Sequence, residues 1–184
     1  MHADARRIRP EEARDAEAVR VLHLAAFGDH GRTVNAIVDD LRPTIAGRGG
    51  SSFVAESDGR VIGHVMVTSS LLDTAERLID APVLSPLAVA PDRQGAGIGG
   101  DLVRRALDAA EAAGSPFVLL EGDPRYYSRL GFRAAGELGF RKPSLRIPDA
   151  AFQVFLLPAY EPWMTGTVVY AWPFWAHDAV GLRD

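Results

Sequence analysis

Apolar positions along the chain recur with two periods, and the alternation between them predicts the elements. Arg6 to Arg9 read as a short first strand. After Asp15, a residue type that caps helix starts, Ala18, Val19, Leu22, Ala25 and Ala26 fall at helical spacing, and Gly28 ends the run. Val34, Ile37, Val38 and Leu41 predict a second helix from Thr33 to Leu41, which Pro43 stops. The stretch Ala46 to Ser52 is a loop. Phe53 to Glu56 and Arg60 to Ser69 are strands joined by the turn Ser57-Asp58-Gly59. Leu71 to Ala81 reads as a strand extension and a loop, and Val83 to Ala90 as a buried strand. The clearest helix runs from Ile98 to Ala113, with Leu102, Val103, Ala106, Leu107 and Ala110 as its apolar stripe and Gly114 where a C-cap belongs. Pro116 to Leu120 is a fully apolar strand, and Pro124 to Leu130 a short helix before Gly131. Phe132 to Ala135, Phe152 to Leu157 and Thr167 to Trp172 complete the strands. Strand, two helices, several strands, then helix and strand in alternation describe a mixed α/β sheet in one domain over residues 1–184. Its core spans about 5–172, followed by an aromatic-rich C-terminal extension.

Composition narrows the function classes. The 184 residues suit a single substantial core, and 47% hydrophobic with 24% charged residues is the balance of a folded soluble chain. A net charge of −4 without a dense Lys/Arg run argues against nucleic acid as a partner. The lack of cysteine excludes disulfides, thiolate metal sites and a cysteine nucleophile, and fits a cytoplasmic protein. MHADARRIRP carries no apolar signal region, and no apolar stretch reaches the roughly 18 residues of a membrane helix. No His, Asp or Glu cluster has metal-ligand spacing, so no metal is expected.

The chemistry concentrates in Leu84 to Leu102, LSPLAVAPDRQGAGIGGDL, where a strand enters a glycine-rich loop and then an amphipathic helix. Gly95, Gly97, Gly99 and Gly100 leave backbone N–H groups uncovered. The helix adds its own unpaired N–H groups and the positive end of its dipole. That combination suits a phosphate or pyrophosphate. Gly95, Gly97 and Gly100 also match part of a dinucleotide-binding G-x-G-x-x-G, but the loop follows several strands instead of opening the first βαβ unit. A Walker A loop would need a lysine that is absent. A plain strand-to-helix turn is the remaining alternative.

Gln94-x-x-Gly97-x-Gly99, preceded by L-A-V-x-P and followed by a helix, resembles the coenzyme A signature of the GCN5-related N-acetyltransferase (GNAT) family. Tyr127-x-x-x-Gly131-Phe132 resembles a second segment of that family, and Arg7 to Phe27 its first strand and helix. The closing FQVFLL…GTVVY resembles its YhbS-like subgroup. The resemblance implies an acyl-CoA N-acyltransferase fold, with a largely antiparallel sheet splayed between the strands near 83–90 and 116–120. It implies acetyl-CoA as acetyl donor, direct transfer to a primary amine of a small molecule or protein, and Tyr127 as general acid to the departing thiolate. Leu87, Ala88 and Val89 would run beside the pantetheine arm, the backbone of Leu87 and Val89 pairing with it. Gln94, Gly95, Ala96, Gly97, Ile98, Gly99 and Gly100 would hold the pyrophosphate, and Arg93 a phosphate of the nucleotide end. An Asn that the family often carries before the tyrosine is replaced here by Leu120 and Asp123, and Val34 stands where many relatives have an acid. Those departures favour the alternative of an acyl-CoA-binding sensor without turnover, whereas the presence of Tyr127 favours the enzyme.

From the residues themselves, Glu121 ends an apolar strand beside the splay, where burial would raise its pKa towards that of a useful base. Tyr126 is the alternative donor, about 100° from Tyr127 around a helix. Asp123 reads as an N-cap, His64 as a packed, hydrogen-bonded histidine, and Asp101 as pointing to solvent. Trp163, Trp172 and Trp175 read as core or interface aromatics, which admits a homodimer.

Overall fold

The computed structural model describes residues 6–47 and 49–181; the reading of residues 1–5 as lacking a leader lies outside the described residues. In chain order the elements are β1 (Arg7–Pro10), α1 (Ala16–Phe27), α2 (Gly31–Leu41), β2 (Ser51–Ser57), β3 (Arg60–Thr74), β4 (Leu78–Val89), α3 (Ile98–Ala112), β5 (Phe117–Glu121), α4 (Pro124–Tyr127), β6 (Arg133–Ala134), β7 (Phe140–Arg141), β8 (Phe152–Leu156), β9 (Gly166–Val169) and α5 (Trp172–Ala176). The strands form one sheet in the order β1-β2-β3-β4-β5-β8-β6, and β9 joins β3 and β7. Neighbours run antiparallel except for β4 with β5 and β7 with β9. The sheet is thus mixed and mostly antiparallel, as expected.

Side chains alternate across the sheet, and each face has its own helices. A Cβ on Gly63 would touch Leu102 and Ile98, so that face of β3 carries α3. The next residue, His64, points the other way and meets His23 of α1. Ile37, Val38 and Leu41 of α2 pack on that second face with Met66, Leu72, Phe117 and Leu119.

The sheet opens where β4 changes register. Val67 pairs with Leu84 but Val65 pairs with Leu87, so β4 holds an extra residue in this stretch. Such a bulge bends its strand, and Pro86 inside it has no N–H for a ladder bond. β4 and β5 pair at Val83 and Leu119, and among the described residues share no further register pair towards their C-terminal ends.

Three sequence readings need correction. The extension from Leu71 does continue β3 to Thr74, but the loop expected to run on to Ala81 spans only 75–77, because β4 opens at Leu78 and not at Val83. Thr74 closes that turn, its hydroxyl donating to the Arg77 carbonyl at 2.7 Å and accepting from the N–H groups of Glu76 and Arg77 at 3.1 and 3.0 Å. The strand expected over 132–135 keeps only Arg133 and Ala134, and a 3-10 turn begins at Ala135. The strand expected to reach Trp172 stops at Val169, because Pro173 preorganises the first turn of α5.

A buried polar chain pins α1 and α2 to the sheet. Asn35 Nδ2 donates to the Arg20 carbonyl, so its Oδ1 accepts from His23 Nδ1 at 2.8 Å. His23 Nε2 lies 2.9 Å from His64 Nδ1, and His64 Nε2 lies 2.9 Å from Ser52 Oγ. Ser52 donates to Glu11 at 2.5 Å, and Arg42 donates to the other Glu11 oxygen at 2.7 Å. Both histidines are fully buried, as read for His64. Burial, then the neighbouring His64, lowers the pKa of His23 from 6.5 to about 4. Between those values the unfolded chain binds a proton that the folded chain does not. Stability is therefore complete above about pH 6.5 and is lost as pH falls towards 4, by about 3 kcal/mol at most. Glu11 and Asp15, both lowered to about 2, give stability that is complete above the ordinary carboxylate range and is lost only as pH falls through that range towards 2. Urea melts of His23→Gln should be less stable at pH 7 but nearly flat between pH 6.5 and 4.5; an unchanged slope would remove His23 as the cause.

Candidate functional site

The site is assembled where β4 ends and α3 begins. Leu87 and Val89 stand opposite Val65 and Gly63 in the ladder, on the α3 face. Gln94 donates from Nε2 to the Val89 carbonyl at 3.2 Å and ties the loop to the strand. Gly95 and Gly97 have φ of +77° and +81°, a left-handed conformation that a Cβ disfavours. A Cβ built on either would meet nothing within 4 Å, so the loop presents bare backbone to open space. Gly97 is the N-cap of α3, and the N–H groups of the first helical turn follow it. These parts surround a cleft of about 680 Å³ lined by Leu87, Val89, Arg93, Gln94, Gly95, the four residues from Gly97 to Gly100, Arg104, Tyr126, Arg129 and Leu130.

Asp101, read as pointing to solvent, is instead held by two arginines. Arg6 pairs with it and donates to the Ala96 carbonyl at 2.9 Å, and Arg104 reaches it at 2.6 Å. The carboxylate that would weaken the positive end of α3 is therefore neutralised, and the loop is clipped to the start of β1.

A larger hollow of about 780 Å³ lies between α1 and the β2–β3 hairpin. Its charges satisfy one another, Arg9 with Asp15 and Glu56, Arg60 with Asp92, so it offers an anion little.

The cleft's bare glycines, helix N-terminus and three arginines fit a polyphosphate with an apolar tail lying along Leu87 and Val89. The profile of the acetyltransferase (GNAT) domain matches residues 7–135. The chain belongs to the GNAT acetyltransferase family. Membership places it among the acyltransferases. It is similar to the uncharacterized N-acetyltransferase YjhQ of Escherichia coli, 31% identical over 170 residues that cover 86% of this chain and 88% of that protein. The crystal structure of the GNAT family N-acetyltransferase YhbS from Escherichia coli in complex with CoA superposes with a TM-score of 0.81 at 31% identity, covering 95% of this chain and 96% of that one. A GNAT family acetyltransferase from Brucella melitensis in complex with acetyl-CoA gives 0.72 at 32%, covering 94% and 99%.

Leu87, Val89, Arg93, Gln94, Gly95, Gly97, Ile98, Gly99 and Gly100 all line this GNAT cleft. Ala88 does not: its side chain turns to the other face opposite His64. Ala96 lies outside the lining and gives its carbonyl to Arg6. Arg104, Arg129 and Leu130 were not anticipated; Arg104 follows Gly100 by four positions, which puts both on one side of α3.

Asp123 caps α4 as expected, accepting from the Arg125 N–H at 2.9 Å. The two tyrosines of that short helix part company. Tyr126 lines the cleft, with its hydroxyl over Gly99. Tyr127 packs beside Gly122 and edge-on to Phe132 at 5.6 Å, against the cluster that holds Leu84, Val118 and Leu120. Burial pushes its hydroxyl well above the usual tyrosine value, so it remains a donor at neutral pH. Glu121 leaves β5 on the opposite face from Val118 and Leu120. Its carboxylate accepts from the Gly181 N–H at 3.1 Å and lies beside the buried Tyr170 hydroxyl, which approaches it without the geometry of a hydrogen bond. Burial raises its pKa. Glu121 and Tyr127 thus flank the opening from opposite faces, and Glu121 is not part of the cleft lining.

Among the described residues no group of three or more His, Asp or Glu side chains is placed to hold a metal, and no helix is long and apolar enough to cross a membrane. Trp175 donates to the Tyr170 carbonyl at 3.2 Å, Trp163 stacks under Arg77 at 4.5 Å, and Trp172 is 74% exposed.

Proposed function

We propose that this chain transfers an acetyl group from acetyl-CoA directly to a primary amine. The observation that carries the reading is the opening between β4 and β5, with the bare backbone of Gly95 and Gly97 and the start of α3 on one face and a half-buried carboxylate flanking the other. The loop N–H groups hold the pyrophosphate, and Arg93, Arg104 and Arg129 meet the remaining phosphate charge. Backbone groups of Leu87 and Val89 align the pantetheine, and the Val89 N–H faces the acetyl carbonyl. The amine approaches from the α2 face. Glu121 takes its proton, the C–N bond forms, the C–S bond breaks, and Tyr127 gives its proton to the sulfur. The acceptor is an amine of a small molecule or protein; nucleic acid is not a partner in this reading, and the protein works in the cytoplasm.

Glu121→Gln tests the acceptor side. A base must be ionised to act, so kcat/KM of the unaltered protein should fall as pH drops through the raised pKa of Glu121. The Gln variant should lose that acidic limb and about 10²-fold in rate at neutral pH, with acetyl-CoA binding unchanged. Retention of the limb would exclude Glu121 as the base.

A further inference from the structure

The hydroxyl of Tyr126 occupies a position that the transfer chemistry leaves unused. A Cβ added to Gly99 would lie 2.4 Å from it, while its next neighbours, Tyr126 Cζ and Val89 Cγ2, would be 3.6 Å away. The oxygen therefore rests on the first turn of α3, beside N–H groups that lack helical partners. Its ring is held edge-on against Tyr127, with centroids 4.9 Å apart and planes at 89°. The side chains of Arg104 and Arg129 line the same cleft. Nearby Asp101 is engaged by Arg6 and Arg104. The surroundings of the hydroxyl are thus rich in donors, and a ligand that enters among them must bring acceptors.

We propose that Tyr126 is a cofactor-binding residue whose hydroxyl donates a hydrogen bond to a pyrophosphate oxygen at the start of α3. This rests on the acetyl-CoA reading of the cleft. It separates the two neighbouring tyrosines by role: Tyr126 holds the phosphates, and Tyr127 serves the sulfur. It also explains why position 99 is a glycine with ordinary helical φ, since any side chain there would displace the hydroxyl.

Titration calorimetry of Tyr126→Phe with three ligands tests this. CoA and dephospho-CoA should both bind about tenfold more weakly, the scale of one hydrogen bond to a charged group. Pantetheine, which has no phosphate, should bind both proteins alike. In steady state the loss should appear in the KM for acetyl-CoA, with kcat at saturation nearly unchanged. Gly99→Ala should itself weaken CoA binding, and adding Tyr126→Phe to it should cost little more, because the added methyl has already displaced the hydroxyl. Unchanged affinity for CoA in Tyr126→Phe, or an equal loss with pantetheine, would overturn the assignment. Failure of the unaltered protein to bind CoA would overturn the cleft reading itself, a distinct result.

Discussion

Tyr127→Phe is expected to slow acetyl transfer in a single turnover by roughly 10²–10⁴-fold, the usual size of a general-acid contribution. The substitution keeps the ring that packs on Phe132 and beside Gly122, so the fold and the cleft should survive it. Because burial holds the hydroxyl protonated far into the basic range, it can supply a proton at any pH where the protein works. Its charge interaction matters only as negative charge develops on sulfur, so kcat should fall much more than KM rises. This is the reverse of the split expected for Tyr126→Phe. If product release limits turnover, steady-state rates would hide the effect, which is why pre-steady-state rates are the measurement. Equal single-turnover rates would remove Tyr127 from the mechanism.

Gly99→Leu should abolish useful acetyl-CoA affinity, raising Kd by about 100-fold or more, or about 2.7 kcal/mol. Gly99 is helical, so a side chain there carries no backbone strain, and its Cβ would point at Tyr126 and Val89, both cleft residues. The leucine would fill the passage between α3 and β4 while the core beneath stays intact. Gly97→Ala is the contrasting case. That position has φ +81° and open space around it, so the cost is backbone strain of about 1–2 kcal/mol instead of a blocked cleft. Calorimetry with acetyl-CoA, alongside thermal melts, separates the two. Tight binding by a well-folded Gly99→Leu protein would mean that the cofactor lies elsewhere.

The glycine loop and α3 were legible because their signals are local: left-handed glycines between a strand and an amphipathic stripe define the turn without help from the rest of the fold. The tyrosines were not separable in the same way. A helix of four residues has too little period to show which side chain faces a cleft, and Tyr126 is identified by Gly99, which sits 27 positions away in the chain. The face of Glu121 was hidden because β5 is apolar at Phe117, Val118, Leu119 and Leu120 alike, as strands covered on both sides are, so alternation gives no direction. Its neighbours Tyr170 and Gly181 come from the far end of the chain. Arg6 reaches Asp101 across 95 positions, and the His23–His64 chain joins residues of α1, α2, β2 and β3 with Glu11. Contacts of that range are products of the sheet order and leave no spacing in the sequence.

The most direct measurement of the central claim follows the acetyl group itself. The protein would be incubated with acetyl-CoA carrying a labelled acetyl group, alone and with a panel of primary amines, and label would be counted in CoA, amine and denatured protein. Direct transfer predicts that label appears on an accepting amine with one CoA released per acetyl moved, and that none stays on the protein. Tight acetyl-CoA binding with no CoA released to any amine would contradict it and support an acyl-CoA sensor; label retained on the denatured protein would contradict direct transfer.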